Sequence, residues 1–555
     1  MSVPSKTTVL VIGGGPAGSY ASAVLARENV DTVLLEAEKF PRYHIGESML
    51  ASMRFFLRFI DLEERFDAHG FRKKHGATFK INSKREAYTD FSASLGPGGY
   101  AWNVIRSEAD DLMFRYAGEE GAHIFDGTKV DNIEFVPYDA ADSADFNPDA
   151  LLSNPGRPVA ATWSRKDGTS GRIEFDYLID ASGRAGVVST KYLKNRTVNE
   201  GLRNIANWSY WKGAKVYGEG TGQQGSPFFE ALTDGSGWCW AIPLHNGTLS
   251  VGVVMRQDLF FGKKKAAGSP NSLDMYKLCL ENVPGISSLL DEAEIVSDIK
   301  MASDWSYSAN AYAGPNFRIA GDAGCFIDPY FSSGVHLALV GGLSAATTIQ
   351  AVRRGETTEF SAAKWHSSKV TEGYTRFLLV VMAVLRQLRK QNAAVISEDG
   401  EEGFDMAFGL IQPVIQGQAD TGESEQQRMV AGVQFSLERF NRAPPEVQRA
   451  VLDKAKSAGQ NAEELEKLTP DEMAVLHNII GRQLRMTKVE KNLDNFSRDV
   501  VDGWAPRVER GNLGLKRADD SIMTDEMEDL FKLNRSVDTS KGGIHVKSNE
   551  IQLPA

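Results

Sequence analysis

Two short stretches of the chain hold residue types whose spacing can do chemistry. Gly13-x-Gly15-x-x-Gly18 lies between an apolar, β-branched run, Thr7–Ile12, and an alanine-rich segment reaching about Arg27. In that setting Gly13 permits a tight turn, Gly15 lets the backbone approach a pyrophosphate, and Gly18 lets a helix pack closely on a strand. The helix start then turns its free N–H groups and its dipole toward the phosphates. Glu36 closes the next apolar run, Thr32–Glu36, where a carboxylate can accept hydrogen bonds from a ribose. Strand, glycine turn, second strand and acid agree on a dinucleotide site. Far downstream, Ser332-Ser333-Gly334 offers small residues with backbone donors, a composition that suits a halide anion where no lysine or arginine is present. The same three residues also suit a helix start with Ser333 as N-cap, and both readings can hold at once.

These residues need a scaffold, and its pattern is readable. Asp176–Asp180 is a further run of the buried parallel type. Helical periodicity appears around Met49–Phe66 and a strand near Ala77–Ile81. Residues 124–180 alternate polar and apolar, with Ala140–Pro158 as a surface excursion. Residues 205–255 carry several β runs of a sheet expected over about 205–315. From Ser333 to about Gln391 the period is helical, and Glu398–Glu402 is an acidic break. Four helices follow, Phe404–Ile415, Glu425–Phe440, Pro445–Ala458 and Pro470–Leu484. The polar tail after Trp504 is expected to be disordered over its last ~15 residues. The expected division is a core over 1–375, a helical region over 376–503 and a tail over 504–555.

Composition excludes other classes. A chain of 555 residues exceeds one compact core. Its 42% hydrophobic and 24% charged residues are those of a soluble globular protein. A net charge of -11 argues against nucleic acid and against an anionic membrane surface. No basic, then apolar, leader precedes Thr8–Ile12, so no secretory signal is expected. The longest apolar run, Phe377–Leu385, is too short to span a bilayer and reads as buried helix. Cys239, Cys279 and Cys325 are widely spaced, which suits a reducing, cytoplasmic compartment. No His/Cys spacing resembles a zinc site, so no metal is expected. His44 and His336 read as hydrogen-bonded structural histidines, and Cys239 and Cys325 as packed thiols.

Pro41-Arg42 and Gly46-Glu47-Ser48 resemble the segment that lines FAD in glutathione-reductase-type monooxygenases and halogenases. Asp180-Ala181-Ser182-Gly183-Arg184 resembles their second contact loop. Gly321-Asp322 resembles the third, whose aspartate holds a ribityl hydroxyl. The resemblance implies FAD, and an α/β (α+β) fold. Its parts would be an FAD-binding Rossmann-like domain of the glutathione-reductase or p-hydroxybenzoate-hydroxylase type, a substrate-side β-sheet and a C-terminal helical appendage. It assigns Gly13, Gly15, Ala17, Gly18, Glu36, Arg42, Gly46, Ser48, Asp180 and Asp322 to the cofactor. Arg106 reads either as another cofactor contact or as a surface salt bridge.

Gly237-Trp238-Cys239-Trp240-Ala241-Ile242-Pro243 resembles the Trp-x-Trp-x-Ile-Pro signature of flavin-dependent halogenases. Strand packing alone also explains two indoles on one face. Ser332-Ser333-Gly334 matches the halide segment of that family. The resemblance then implies chloride or bromide held by the amides of Ser333 and Gly334. It makes Trp238, Trp240 and Pro243 a barrier between flavin and substrate, with a lysine that captures hypohalous acid. Arg72–Lys80 offers three lysines, although most lysines in such a cluster are simply solvated. Phenol-type relatives carry theirs just before a Gly-Ala-x-Phe strand, which selects Lys74. Alignment to tryptophan halogenases through Ala77–Lys80 selects Lys80 instead. Those enzymes also carry a glutamate where Phe331 stands here, so the substrate must activate itself, as a phenol does.

Arg42–Ser48, Lys191–Arg196 and Asp328–His336 look like fungal phenolic halogenases acting on aromatic polyketides, resorcylic-acid-lactone halogenases included. The likeness runs over about residues 7–440. It implies FADH2 from a separate NAD(P)H-dependent flavin reductase, with O2 as oxidant. The substrate would be a freely diffusing phenol rather than one tethered to a carrier protein, halogenated ortho or para to hydroxyl. Competing readings are an FAD-dependent hydroxylase of a polyketide phenol and a flavin-binding protein without turnover.

Overall fold

The computed structural model describes residues 2–81, 86–91, 95–96, 98–137, 155–389, 496 and 500–518, with two short backbone strands, Val537–Asp538 and His545–Val546. The four helices expected over 403–500, residues 140–154 of the expected excursion and the last ~15 residues lie outside the described part.

Lys6–Ile12 sits in the middle of an eight-stranded sheet. It pairs in parallel with Thr32–Leu35 on one side and with Ser170–Asp180 on the other. Phe317–Ile319 extends the parallel run beyond Ser170–Asp180, and His123–Phe125 extends it beyond Thr32–Leu35. Val9 and Val11 are buried against helices on one face, and Leu10 packs with Val130, Ile133 and Trp163 of further strands on the other, which is why the run reads as continuously apolar. The helix Pro16–Arg27 follows the glycine turn and packs on the helix Gly334–Arg353. The approach is close: a Cβ on Gly342 would stand 2.8 Å from the Ala17 carbonyl oxygen. Gly334–Arg353 is long and apolar enough to cross a membrane, yet 83% of its apolar window is buried in the fold, as for a core helix.

The second sheet also has eight strands. Arg196–Lys212 and Thr248–Arg256 run antiparallel at its centre, followed by Gly237–Pro243 and Phe228–Ala231. Gly76–Lys80 then joins in parallel to Phe228–Ala231. This is the α/β arrangement of two sheets that the sequence suggests. The helix Glu359–Arg389 lies against it, with Tyr374, Phe377, Leu378, Val381 and Leu385 in one buried cluster with Trp238 and Trp240. The division expected between residues 375 and 376 falls inside this helix. Its buried face continues to Leu388 with no glycine or proline to stop it.

The tail begins with a hairpin, Trp504–Arg507 and Gly514–Arg517. Leu513 and Leu515 are buried, and Trp365 Nε1 donates to the Trp504 carbonyl at 3.1 Å. Truncating a buried tryptophan such as Trp365 costs about 3–5 kcal/mol. The hairpin is part of the core that also holds Val9, Val11 and Tyr20.

Candidate functional site

Three loops meet where adjacent parallel strands end. Gly13 has φ +99, and a Cβ there would stand 2.2 Å from the Ala181 carbonyl oxygen. A Cβ on Gly18 would stand 1.9 Å from the Gly13 carbonyl oxygen. Both sites exclude any side chain. Ala320 N donates to Asp180 O at 2.9 Å, and a Cβ on Gly321 would meet Ala17 Cβ at 3.2 Å. Thus Gly13–Gly18, Asp180–Arg184 and Gly321–Asp322 converge, although they lie far apart in sequence.

The helix Pro16–Arg27 opens with Gly15 at its N-cap, no capping side chain and no acid in its first turn. Such an end favours an anion. Glu36 accepts from Gly14 N at 2.7 Å and from Glu38 N at 2.8 Å, which fixes its carboxylate beside the turn. Arg42 reaches over the same turn: its guanidinium would be 3.4 Å from a Cβ on Gly15. Excluded side chains, an uncapped helix start, a fixed acid and an overhanging arginine together fit a dinucleotide pyrophosphate and its ribose.

Arg106 is neither exposed nor a surface salt bridge. It is 6% exposed, binds Asp110 through two hydrogen bonds of 2.8 and 3.0 Å, and donates to the carbonyls of Ile45 and Gly46 at 3.0 and 3.2 Å. Asp110 also accepts from Arg42 at 3.0 Å. One buried carboxylate therefore braces two arginines around the Gly46–Ser48 loop. Asp110 escaped the sequence reading, although its i,i+4 spacing from Arg106 was a usable signal. Asp180 is fully buried and accepts from Ser182 N, Ser182 Oγ and Val188 N, so its carboxylate shapes its own loop. Burial pushes the Asp322 carboxyl up to about 6, against the pull of Arg106, Arg184 and Arg196.

Trp238 and Trp240 project to the same side of Gly237–Pro243, their rings 5.9 Å apart. Trp238 meets Tyr330 edge-on at 5.0 Å, and Phe79 stands 5.3 Å from Phe331. The tryptophan strand, the Phe79 strand and the segment before Ser332 thus share one aromatic wall. Asn103 Nδ2 donates to the Pro243 carbonyl at 3.1 Å and ties the strand end to the strand Ala101–Asn103, which pairs with Arg72–Lys74. Asp328 anchors the segment, accepting from Asn204 Nδ2 at 2.6 Å and Tyr330 N at 3.1 Å. Burial pushes its carboxyl up to about 6.

Ser332, at φ +57, turns the chain into the helix Gly334–Arg353. Ser333 occupies the N-cap position, but its side chain does not cap. The Oγ is buried and has no hydrogen-bond partner among the described residues. The capping expectation fails because the backbone here is helical (φ -79, ψ -14), not the extended conformation that aims an N-cap oxygen at the first turn. A Cβ on Gly334 would meet nothing within 4 Å, and the first turn holds no acid.

Lys74 and Lys80 part company. Lys74, on the short strand Arg72–Lys74, is 2% exposed and donates to Ser48 Oγ at 2.8 Å and to the Met49 carbonyl at 2.9 Å. Its ammonium lies 4.9 Å from the Phe91 ring centre and has no carboxylate partner among the described residues. Burial lowers it to about 7. Lys80 is paired with Glu230 at 2.8 Å, and Glu230 also accepts from Gly285 N and Ile286 N.

Glu47, unassigned from sequence, is 2% exposed and accepts from Tyr210 OH at 2.7 Å; burial pushes it up to about 7. His44 and His336 are hydrogen-bonded, to the Ile45 carbonyl at 2.6 Å and to Ser52 Oγ at 2.9 Å. All three cysteines are buried.

The chain matches the family described as tryptophan halogenase over residues 8–131 and 160–364, more than half its length. It is 87% identical over 555 residues, all of both chains, to the sulochrin halogenase of Aspergillus terreus. It is 61% identical over 527 residues to a flavin-dependent halogenase of Pestalotiopsis fici, covering 94% of this chain and 97% of the other. Among solved structures it resembles the flavin-dependent brominase Bmp2 with a TM-score of 0.65 and 23% identity, over 79% of this chain and 99% of the other.

Proposed function

The chain belongs to the tryptophan halogenase family of flavin-dependent halogenases, and on that premise we propose that it halogenates the phenolic ring of an aromatic polyketide, sulochrin or a close analogue. The observation that carries this reading is the helix start at Ser333-Gly334, where a buried Ser333 Oγ with no hydrogen-bond partner among the described residues adjoins an exposed Gly334, beside a wall built by Trp238, Tyr330 and Phe331. The name of the 87% identical relative supports the substrate class. Phe331 supports it too, since it leaves no carboxylate at that position to activate a poorer ring.

FAD, delivered reduced by a separate reductase, supplies with O2 the oxidising power that turns chloride or bromide into hypohalous acid. The chain's own residues do the rest. The glycine turn and Glu36 would hold the pyrophosphate and ribose, with Arg42, Ser48 and Asp322 nearby. Arg106 and Asp110 keep the Gly46–Ser48 loop in place. The amides of Ser333 and Gly334 would hold the halide. Trp238, Trp240 and Pro243 keep the substrate apart from the flavin. Lys74 donates a hydrogen bond to hypohalous acid and turns its halogen toward the ring. The phenol contributes an electron pair from a carbon ortho or para to its hydroxyl. The carbon–halogen bond forms, the ring proton leaves, and it combines with the released hydroxide as water.

The test is turnover of sulochrin with reduced FAD, O2 and chloride. A chlorinated product that disappears when chloride is omitted supports the reading. An oxygenated product formed without halide assigns the chain to phenol hydroxylation instead.

A further inference from the structure

His69, Glu108 and His245 show no ligand spacing in sequence, yet the fold brings them together. His69 ends the helix Glu63–His69, and Glu108 lies in the first turn of the helix Arg106–Glu119. His245 sits in the tight turn after the tryptophan strand, where Asn246 Oδ1 accepts from Thr248 N at 3.1 Å. Glu108 Oε2 is 2.7 Å from His69 Nε2 and 3.1 Å from His245 Nε2. The three ligand atoms lie within 4.8 Å of one another. We propose that these three side chains form a site for a divalent transition metal, zinc being the probe of choice.

Two imidazoles and one carboxylate suit zinc and its neighbours rather than calcium or magnesium. Metal–ligand bonds of about 2.0–2.1 Å in tetrahedral array put ligand atoms about 3.3 Å apart. The two glutamate–histidine separations, 2.7 and 3.1 Å, fall short of that value by a few tenths of an ångström, and no pair exceeds 4.8 Å, so small side-chain movements suffice. The rings are already oriented. Phe71, 4% exposed, stacks on His69 at 4.2 Å and meets His245 edge-on at 5.5 Å. His245 Nδ1 is buried with no hydrogen-bond partner among the described residues, so Nε2 carries that ring's polar contact to Glu108. The side chains keep 31%, 36% and 21% exposure, which leaves a coordination position open to water.

The site joins two parts of the catalytic framework. Arg106, which braces the Gly46 loop, begins the helix that carries Glu108. His245 follows the tryptophan strand two residues after Pro243. A bound ion therefore staples the flavin-side helix to the barrier strand. It acts by stabilising the folded state, because no preformed site exists in the unfolded chain.

The experiment uses the untagged, FAD-loaded protein, dialysed against chelator and titrated with zinc chloride by calorimetry and by thermal melting. One zinc per chain with micromolar affinity and a raised melting temperature is expected. His69→Ala and His245→Ala should each weaken binding about tenfold or more and abolish the thermal shift, with FAD content unchanged. His75→Ala, at an exposed histidine elsewhere, should bind as wild type does. Absence of saturable binding overturns the proposal. So does wild-type zinc affinity in both triad variants, which leaves the three residues an ion-pair cluster only.

Discussion

Lys74 Nζ donates to Ser48 Oγ across 2.8 Å, and both groups are buried. Ser48 belongs to the loop that Arg106 braces, while Lys74 lies on a strand paired with Ala101–Asn103. The ammonium is thus held by hydroxyl, carbonyl and aromatic face rather than by a carboxylate. With two of its three N–H groups given to Ser48 Oγ and the Met49 carbonyl, the ammonium has one donor left to offer a ligand.

The pH dependence of turnover should report this lysine. Burial lowers Lys74 to about 7, so the working ammonium is lost as pH rises through that value. In proton-inventory terms the unfolded chain keeps this proton up to its ordinary 10.5, one proton more than the folded state between the two values. Wild type should therefore gain stability relative to Lys74→Met from pH about 7 upward to about 10, with no relative change below 7. Single-turnover halogenation should decline above pH 7. A rate that climbs through pH 7 assigns the chemistry to the neutral amine, as a chloramine.

Ser333→Leu should raise the chloride concentration needed for half-maximal rate about tenfold, since forcing bulk into a packed site costs about 1–3 kcal/mol. FAD content should stay near wild type, because the Ser333 Oγ makes no hydrogen bond to any described residue. An unchanged chloride dependence removes Ser333 from the halide site.

Anaerobic mixing with NADPH alone should leave the flavin absorbance unbleached. The chain shows one nucleotide-binding turn, at Gly13–Gly18, and the described sheet gives it one set of strand ends to occupy. Rapid bleaching without an added reductase contradicts the dependence on a separate partner.

Local, strong signals were legible in the sequence. The Gly13–Gly18 turn, the apolar Lys6–Ile12 strand and the Trp238/Trp240 alternation are dictated by neighbours in the chain, through backbone sterics and a period of two. The helical period read from Ser333 to about Gln391 carries through residue 375, as the helix Glu359–Arg389 does, although the expected division was set inside it. What escaped depends on tertiary proximity. Asp110 serves two arginines only because Arg42 folds over the helix Arg106–Glu119. His69, Glu108 and His245 meet only when three separate elements assemble. Burial, too, was invisible: Lys74 and Lys80 sit in one charged run, and their environments alone tell them apart.

That difference also offers the most direct measurement. Lys74→Ala and Lys80→Ala should be compared for chlorination of sulochrin, FAD content and flavin reoxidation. Lys74→Ala should lower the chlorination rate about 100-fold or more, the scale for losing one oriented donor to the reacting group. Its substrate affinity, FAD content and reoxidation should persist. Lys80→Ala, which breaks an ion pair with Glu230, should retain chlorination within a few-fold of wild type. A dead Lys80→Ala beside a Lys74→Ala of near-normal turnover contradicts the account and moves the chemistry to Lys80.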